Sequence, residues 1–505
     1  MLRRKTNRSL GRSRTGPRAG QTSTANAPRR ETTRRKSPAG TANHPLVDGQ
    51  DNEHLHQYEQ AVKKSFDAIV PTLRKVVAYQ HEEDFVAKAQ AVATQELGYQ
   101  LTEEILQDAW VDQLDMRSLF AWCVFKTYHG FCDEFFSKGP LSSNSGSSMN
   151  TQEFQSFIQE CGFHTLDISP CADGRLAHAI RYVLRLPIDA VRRKSYAGAM
   201  FDVDNSIEKW VETEMLRYRE GKPDTADAPT RYLKTVAYHF SSVDPSHEGC
   251  AAHGSDDAKA AAEGLNRLLA FQQAIENSFC CGASIDLLLL GIDTDTDAIK
   301  VHIPDANGGI DLNKFVDAKD VYQQTQHLSA SDGMQRIEQM IKGSQASVGD
   351  GMLQIISKLL LNNLSQIEYV RSYFGSHYED IGHAERFIGA GIGFEEVQLR
   401  NLTYIAYLNT VEESTADFDV GIKIFSKLNV AHGLPVPIVI RFDYHGQVPG
   451  ARERAIEHCQ RVSDAVASRY SDLAQEGLLH TLLVVRDCNA GGQIEILGSS
   501  LKAAL

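Results

Sequence analysis

The chain has 505 residues, with 52 Lys+Arg against 65 Asp+Glu and a formal net charge of -13. At ~150 residues per domain this length gives about three domains, and 42% hydrophobic residues can bury a real core, which excludes a disordered chain or a stapled mini-protein. Nine Cys with no Cys-x-x-Cys exclude a disulfide scaffold and point to a reducing compartment; the longest strongly apolar stretch, Ile285 to Ile292, is too short for a bilayer, which needs ~20 residues.

In chain order, residues 1–40 come first, with twelve Lys/Arg between Arg3 and Lys36 against one acid, Glu31. This segment is +11 and the rest of the chain -24, too acidic a body for a nucleic-acid surface. Its only large apolar residues are Met1, Leu2 and Leu10, so it is expected to be disordered when free, and it lacks the apolar core of a secretory signal. Three readings are open: a solvated tail, an organelle transit peptide and a docking segment. The paired clusters Arg3-Arg4-Lys5-Thr6 and Arg34-Arg35-Lys36-Ser37 favour docking to an acidic partner.

Residues 56–137 read as helices, with Val62, Phe66, Ile69, Val70, Leu73 and Val76–Val77 at helical spacing and Pro71 dividing the first two. Lys138 to Asn150 is a linker by composition. The pattern then becomes α/β. Phe163–Ile168 is a strand expected to stop at Ser169-Pro170, and Tyr232–Ser241 is a second strand. Asp257–Asn277 is an amphipathic helix facing inward through Leu265, Leu268, Leu269 and Ile275, and Leu287–Ile292 is a buried central strand. The order recurs with the strand Pro437–Asp443, the helix Ala451–Leu473 and the strand Leu478–Val485. Comparing the strand ends Tyr238-His239-Phe240 and Asp443-Tyr444-His445 suggests an internal duplication, although any two such units look alike at this level.

Two features carry chemistry. Ser169-Pro170-Cys171-Ala172-Asp173-Gly174-Arg175 follows the first strand, so a thiol, a carboxylate and a guanidinium at i, i+2 and i+4 can converge at its carboxyl end. Alone, Cys-x-Asp-x-Arg is a weak signal, more readily a buried structural Cys beside a surface ion pair. The second feature is His239 at a strand end, followed by His247, Cys250 and His253 before a helix. Thiolate and imidazole both suit zinc, and Cys171, His239 and Cys250 as ligands would leave a fourth tetrahedral position for water, the catalytic type of site. Three other motifs fail. Asp293-Thr294-Asp295-Thr296-Asp297 opens like a calcium loop but has Ala298 and Pro304 where Gly and Glu are required. Gly389–Gly393 has Phe394 in place of the last glycine of a dinucleotide fingerprint, and Gly174 stands where a zinc deaminase has its second Cys.

The constellation resembles the β-type carbonic anhydrases, and more closely their carboxysome shell branch, once set apart as the epsilon class. The similar stretches include DISPCADGRL (167–176), DPSHEGCAAHGS (244–255), CCGASIDLLLLGIDTDTDAIKVHIPD (280–305), DIGHAERF (380–387) and DVGIKIFSKLN (419–429), within about residues 50–475. The resemblance implies one Zn2+ per chain on Cys171, His239 and Cys250, with an Asp173–Arg175 dyad beside it. The ordinary β-type His-x-x-Cys would select His247; the longer loop of the shell branch selects His239, the preferred choice because it ends a strand. His383 in DIGHAER is the candidate for a further active-site group, a buried structural His being the alternative. The implied fold is α/β, β-carbonic-anhydrase-like and internally duplicated. The expected parts are a disordered basic tail (1–48), a helical domain (49–140), a zinc-bearing catalytic domain (150–386) and a degenerate copy without metal ligands (387–505). The expected function is reversible hydration of carbon dioxide to bicarbonate by a zinc-bound hydroxide, supplying CO2 to Rubisco inside the carboxysome, at the inner face of its shell. A non-catalytic shell protein with a structural zinc is the competing reading. Expected partners are CO2 and bicarbonate, Rubisco or shell-associated proteins through the tail, and a second copy of the chain in a homodimer or larger assembly, with no nucleic acid and no membrane.

Overall fold

Apolar residues spaced three and four apart give the N-terminal region its helices: α1 (Gln50–Asp67), α2 (Ile69–Ala78), α3 (Phe85–Leu97), α4 (Glu103–Asp108) and α5 (Met116–Ser137). The chain breaks at Ala68, and Pro71 sits in the first turn of α2, where a missing N–H costs no helical hydrogen bond. α5 is apolar nearly all round, with Leu119 to Phe125 buried without interruption, as a central helix requires. The computed structural model describes residues 44–47, 50–108, 116–137, 149–225, 227–278, 284–407, 415–489 and 493–505. The basic segment 1–40 and linker residues 138–148 lie outside the described residues. The expected tail reached residue 48, yet the turn 44–47 within it is packed: His44 is buried, with Nε2 3.1 Å from Thr325 Oγ1.

The middle of the chain supplies α6 (Thr151–Glu160), β1 (Thr165–Pro170), β2 (Arg192–Arg193), α7 (Val203–Arg219), β3 (Arg231–Phe240), α8 (Asp257–Ser278), β4 (Ser284–Asp293), β5 (Ile299–Pro304) and β6 (Ile310–Asp317). They form a sheet ordered β2-β1-β3-β4-β5-β6, parallel from β2 to β4 and antiparallel beyond. α9 (Ala318–Thr325), α10 (Ala330–Ser344) and α11 (Asp350–Phe374) follow, and α11 packs Ile355, Ile356, Leu359 and Leu360 into the same core. β1 begins two residues later than expected and runs through Ser169-Pro170. Proline is tolerated there because Pro170 has only to accept, its carbonyl taking the Tyr196 N–H at 3.1 Å. On α8, Leu268 and Ile275 are buried as expected but Leu269 is 45% exposed; Gly264 and Phe271 complete the inner face instead.

The C-terminal part contains β7 (Phe387–Ile392), β8 (Thr403–Ala406), α12 (Thr415–Leu428), β9 (Val436–Tyr444), α13 (Ala451–Arg469), α14 (Ser471–Gln475), β10 (Leu479–Asp487) and β11 (Glu495–Ser499). The helix expected over Ala451–Leu473 is thus interrupted at Tyr470. The strand order is β8-β7-β9-β10-β11, parallel from β8 to β10 with an antiparallel β11. One apolar core joins α1–α5 to Val439, Leu482 and Val484 of this second sheet. No helix among the described residues is long and apolar enough to cross a membrane. Cys123, Cys132, Cys161, Cys171, Cys250, Cys459 and Cys488 are free thiols.

Candidate metal centre

The site lies where the carboxyl ends of β1 and β3 run parallel, Pro170 pairing with Ala237. One residue on, the Cys171 N–H donates to the Ala237 carbonyl at 3.0 Å, which fixes the thiol beside the end of β3. Asp173 then turns the chain: its Oδ1 accepts the Arg175 N–H at 2.9 Å and caps a one-turn 3-10 helix, Gly174–Leu176. His239 is the penultimate residue of β3, held in the sheet opposite Ile292 of β4. Cys250 caps another 3-10 turn, Ala251–His253, so it precedes α8 by a turn rather than opening it. Gly198 (φ 64°) lies against that turn, its carbonyl 3.0 Å from His253 Nε2 and its missing Cβ leaving room for Ala252 and the His253 ring.

Cys171, His239 and Cys250 are all buried, and their ligand atoms lie within 4.8 Å of one another. His247 is elsewhere: its side chain is 76% exposed and paired with Asp244 at 2.9 Å. His239 Nδ1 is buried and has no protein partner. Two soft sulfurs and one imidazole suit a borderline-soft ion such as a late first-row metal. The hydrogen bond to Cys250, with burial, holds the Cys171 thiol well above the usual range; accepting it lowers Cys250. Burial pushes the His239 imidazole down, but Cys171 and Asp173 beside it raise it to about 9. Metal binding would displace these protons.

Arg175, 1% exposed, spends its whole guanidinium here. Nε donates to Asp173 Oδ1 at 2.9 Å and Nη2 to Asp173 Oδ2 at 2.8 Å, a bidentate pair. Nη1 donates to the carbonyls of Glu248 at 2.7 Å and Ile381 at 2.9 Å, tying the loop before Cys250 and the loop before His383 to the same dyad. Burial alone would raise Asp173, yet Arg175, His383 and His239 hold it well below the carboxylate range. Its Oδ2 is 3.3 Å from His239 Nε2 and 3.6 Å from His383 Nε2. His383 is raised to about 9, Asp173 and Glu385 outweighing its burial.

All six residues singled out in the sequence therefore share one neighbourhood: Cys171, Asp173, Arg175, His239, Cys250 and His383. Sequence reasoning missed Glu385, fully buried, whose Oε1 is 2.8 Å from His383 Nδ1. The His-x-Glu spacing was the available signal, since i and i+2 share a side in an extended segment. The rejected calcium-loop turn spends its carboxylates on protein groups. Asp293 accepts from Ser242 Oγ at 2.7 Å, Asp295 from Ser241 Oγ at 2.7 Å, and Asp297 from Tyr378 at 2.6 Å.

Comparison with known proteins agrees along the chain. The family model "Carboxysome Shell Carbonic Anhydrase, catalytic domain" matches residues 153–383, its N-terminal companion 44–136 and its C-terminal companion 384–501. The carboxysome shell carbonic anhydrase of Prochlorococcus marinus (strain MIT 9313) is 56% identical over 460 residues, covering 91% of this chain and 89% of that protein. That of Parasynechococcus marenigrum (strain WH8102) is 54% identical, covering 93% and 81%. That of Halothiobacillus neapolitanus is 45% identical, covering 92% and 91%.

Proposed function

The chain belongs to the carboxysome shell carbonic anhydrase family, and on that premise we propose that its reaction, the reversible hydration of carbon dioxide to bicarbonate in the carboxysome, is carried by zinc on Cys171, His239 and Cys250 with Asp173, Arg175 and His383 around it. The observation that carries this reading is the meeting of three buried soft donors within 4.8 Å of each other beside an Arg-locked carboxylate. Thiolate and imidazole are donors zinc takes, and a separation within 4.8 Å lets one ion reach all three. When bound, zinc would make a nucleophilic hydroxide available near neutral pH, as it does for the three-histidine carbonic anhydrases.

The chain's own residues do the rest. Arg175 occupies both oxygens of Asp173, so the carboxylate is kept from closing over the metal and stays ionised at fixed orientation. Held this way, Asp173 Oδ2 can accept one hydrogen bond from the attacking group and turn its lone pair towards the carbon of CO2. Each hydration releases one proton. His383, 21% exposed on its side chain and 3.6 Å from Asp173, is the group that passes it to solvent.

The test is metal content measured together with rate. Chain purified without chelator should hold close to one zinc. Cys171→Ser should lose both zinc and hydration activity, whereas Asp173→Ala should keep zinc and lose about 10–100-fold in kcat/KM. Zinc near zero in active wild-type protein, or full activity in both variants, would sink the reading.

Three wider readings rest on the same footing. The shared strand order and sense of the two sheets supports an internal duplication in which the C-terminal sheet is a copy without ligands. The two unequal halves would then stand in for one symmetric β-type pair, in a homodimer or larger assembly of such chains. The domain limits remain near 49–140, 150–386 and 387–505. The twelve Lys/Arg of residues 1–40 would dock to an acidic partner, Rubisco or a shell-associated protein, and so deliver CO2 where it is fixed. Deleting 1–40 should abolish encapsulation and leave hydration intact; encapsulation that persists overturns the docking role.

A further inference from the structure

Glu385 is a costly residue for its position. Its carboxylate is completely buried, and Oε2 has no protein partner. Such a group is tolerated only where a donor compensates it, and the donor here is His383, whose Nδ1 is 2.8 Å from Oε1. The carboxylate also lies against the turn that carries the dyad. A Cβ on Gly174, between Asp173 and Arg175, would come within 2.2 Å of Glu385 Oε1 and 2.5 Å of its Cγ. Asn401 closes the arrangement: its N–H donates to the Gly174 carbonyl at 3.0 Å and its Nδ2 to the Gly382 carbonyl at 2.7 Å.

From this geometry we propose that Glu385 is a positioning residue for the reaction: it holds His383 with Nδ1 protonated and Nε2 turned to Asp173, and residue 174 is glycine so that this carboxylate fits against the dyad. The proposal rests on the reading of His383 as the proton-transfer group. With Nδ1–H committed to Glu385, Nε2 alone is left to take up and release the proton. A carboxylate at each nitrogen, Glu385 at Nδ1 and Asp173 at Nε2, keeps the ring from turning over. Without Glu385 the ring can flip or exchange tautomers, and Nε2 is presented only part of the time.

The distinguishing measurement separates the hydration step from proton export. Glu385→Gln should keep its zinc and its kcat/KM for CO2, while kcat at low buffer falls about 10–100-fold and is restored by added imidazole. Recorded above pH ~9, where the ring is neutral, the 15N signals of His383 should change from one Nδ1–H tautomer in the wild type to a mixture. Gly174→Ala should produce the same ring signature by displacing the carboxylate rather than deleting it. In a His383→Ala background, Glu385→Gln should cost nothing further. An additional loss there means that Glu385 acts otherwise than through His383 and overturns the proposal, as does wild-type kcat and an unchanged ring signature in Glu385→Gln. If His383→Ala itself leaves kcat at low buffer unchanged, the underlying reading of His383 fails instead. Should Glu385→Gln not fold, Glu385→Asp, which withdraws the charge by one methylene, gives the same readouts.

Discussion

Each sheet carries an Arg–Asp pair two residues apart, and the two pairs look the same in isolation. Arg175 grips Asp173 at 2.9 and 2.8 Å; Arg441, on β9, grips Asp443 at 2.7 and 2.9 Å. What differs is the company. The remaining Arg175 nitrogen is spent on two loop carbonyls, which leaves Asp173 facing two imidazoles. The remaining Arg441 nitrogen goes to Glu396 Oε1 at 2.6 Å and to the Tyr128 hydroxyl of α5 at 3.2 Å. Cys132 of the same helix reaches Glu396 at 3.3 Å, and Phe136 and Phe394 flank the guanidinium. The first pair lies beside a candidate metal-ligand group; the second fastens a helix to its sheet. The contrast teaches that a bidentate ion pair has no function of its own, and that titratable or apolar neighbours decide which it serves.

The largest effect is metal removal: chelation should take hydration to the uncatalysed rate and zinc should restore it, while Asp443→Ala leaves kcat of the loaded enzyme unchanged. Equal losses in Asp443→Ala and Asp173→Ala would erase the distinction. Next, Arg441→Ala strands Glu396 and should cost about 3–5 kcal/mol of stability in denaturant unfolding, since it leaves a buried charge unpaired. A change below about 1 kcal/mol would mean that the second pair fastens nothing.

A third test concerns the seam between the sheets, where Asp417 of α12 accepts the Ala197 N–H at 2.6 Å. Burial raises this carboxyl to about 6, against ~3.9 in the unfolded chain. Folding therefore favours the protonated acid: the contribution is full below pH ~4 and is lost as pH rises through ~6. It amounts to on the order of 3 kcal/mol across that window, and Asp417→Asn should flatten it in urea midpoints measured against pH. The smallest effect is expected of a third bidentate pair, Arg469 to Asp419 at 2.9 and 2.5 Å, which is exposed. Arg469→Ala should leave the urea midpoint almost unchanged in the same assay, because solvent screens the pair.

Much of the first sheet was legible in the sequence, for a physical reason. Leu287–Ile292 is a buried strand and a continuous apolar run, as buried strands tend to be, while Tyr232–Ser241 alternates along its length as a strand does. Cys and His at strand ends are chemically distinctive enough to single out, and the structure brings those residues together. Residues whose meaning depends on distant contacts were not legible. Glu385 reads as one more surface acid until its pocket is seen, and Leu269 fits a helical stripe that curves away from the core. The compared strand ends also proved unlike in setting: His239 is buried, whereas His445 lies beyond β9, exposed and 3.1 Å from Asn489. Nothing local in Tyr128 announces a partner 313 residues away.

That separation has a consequence for synthesis. Trp122 of α5 donates to the Ala504 carbonyl, 382 residues later, at 2.8 Å. At ribosomal rates of ~5–20 residues per second, the partners of α5 emerge roughly 15–75 s after the helix itself. One side of α5 is covered early by α1 and α2, but the side that meets β9, β10 and Ala504 stays open until those partners emerge, and that apolar surface must be sheltered in the meantime.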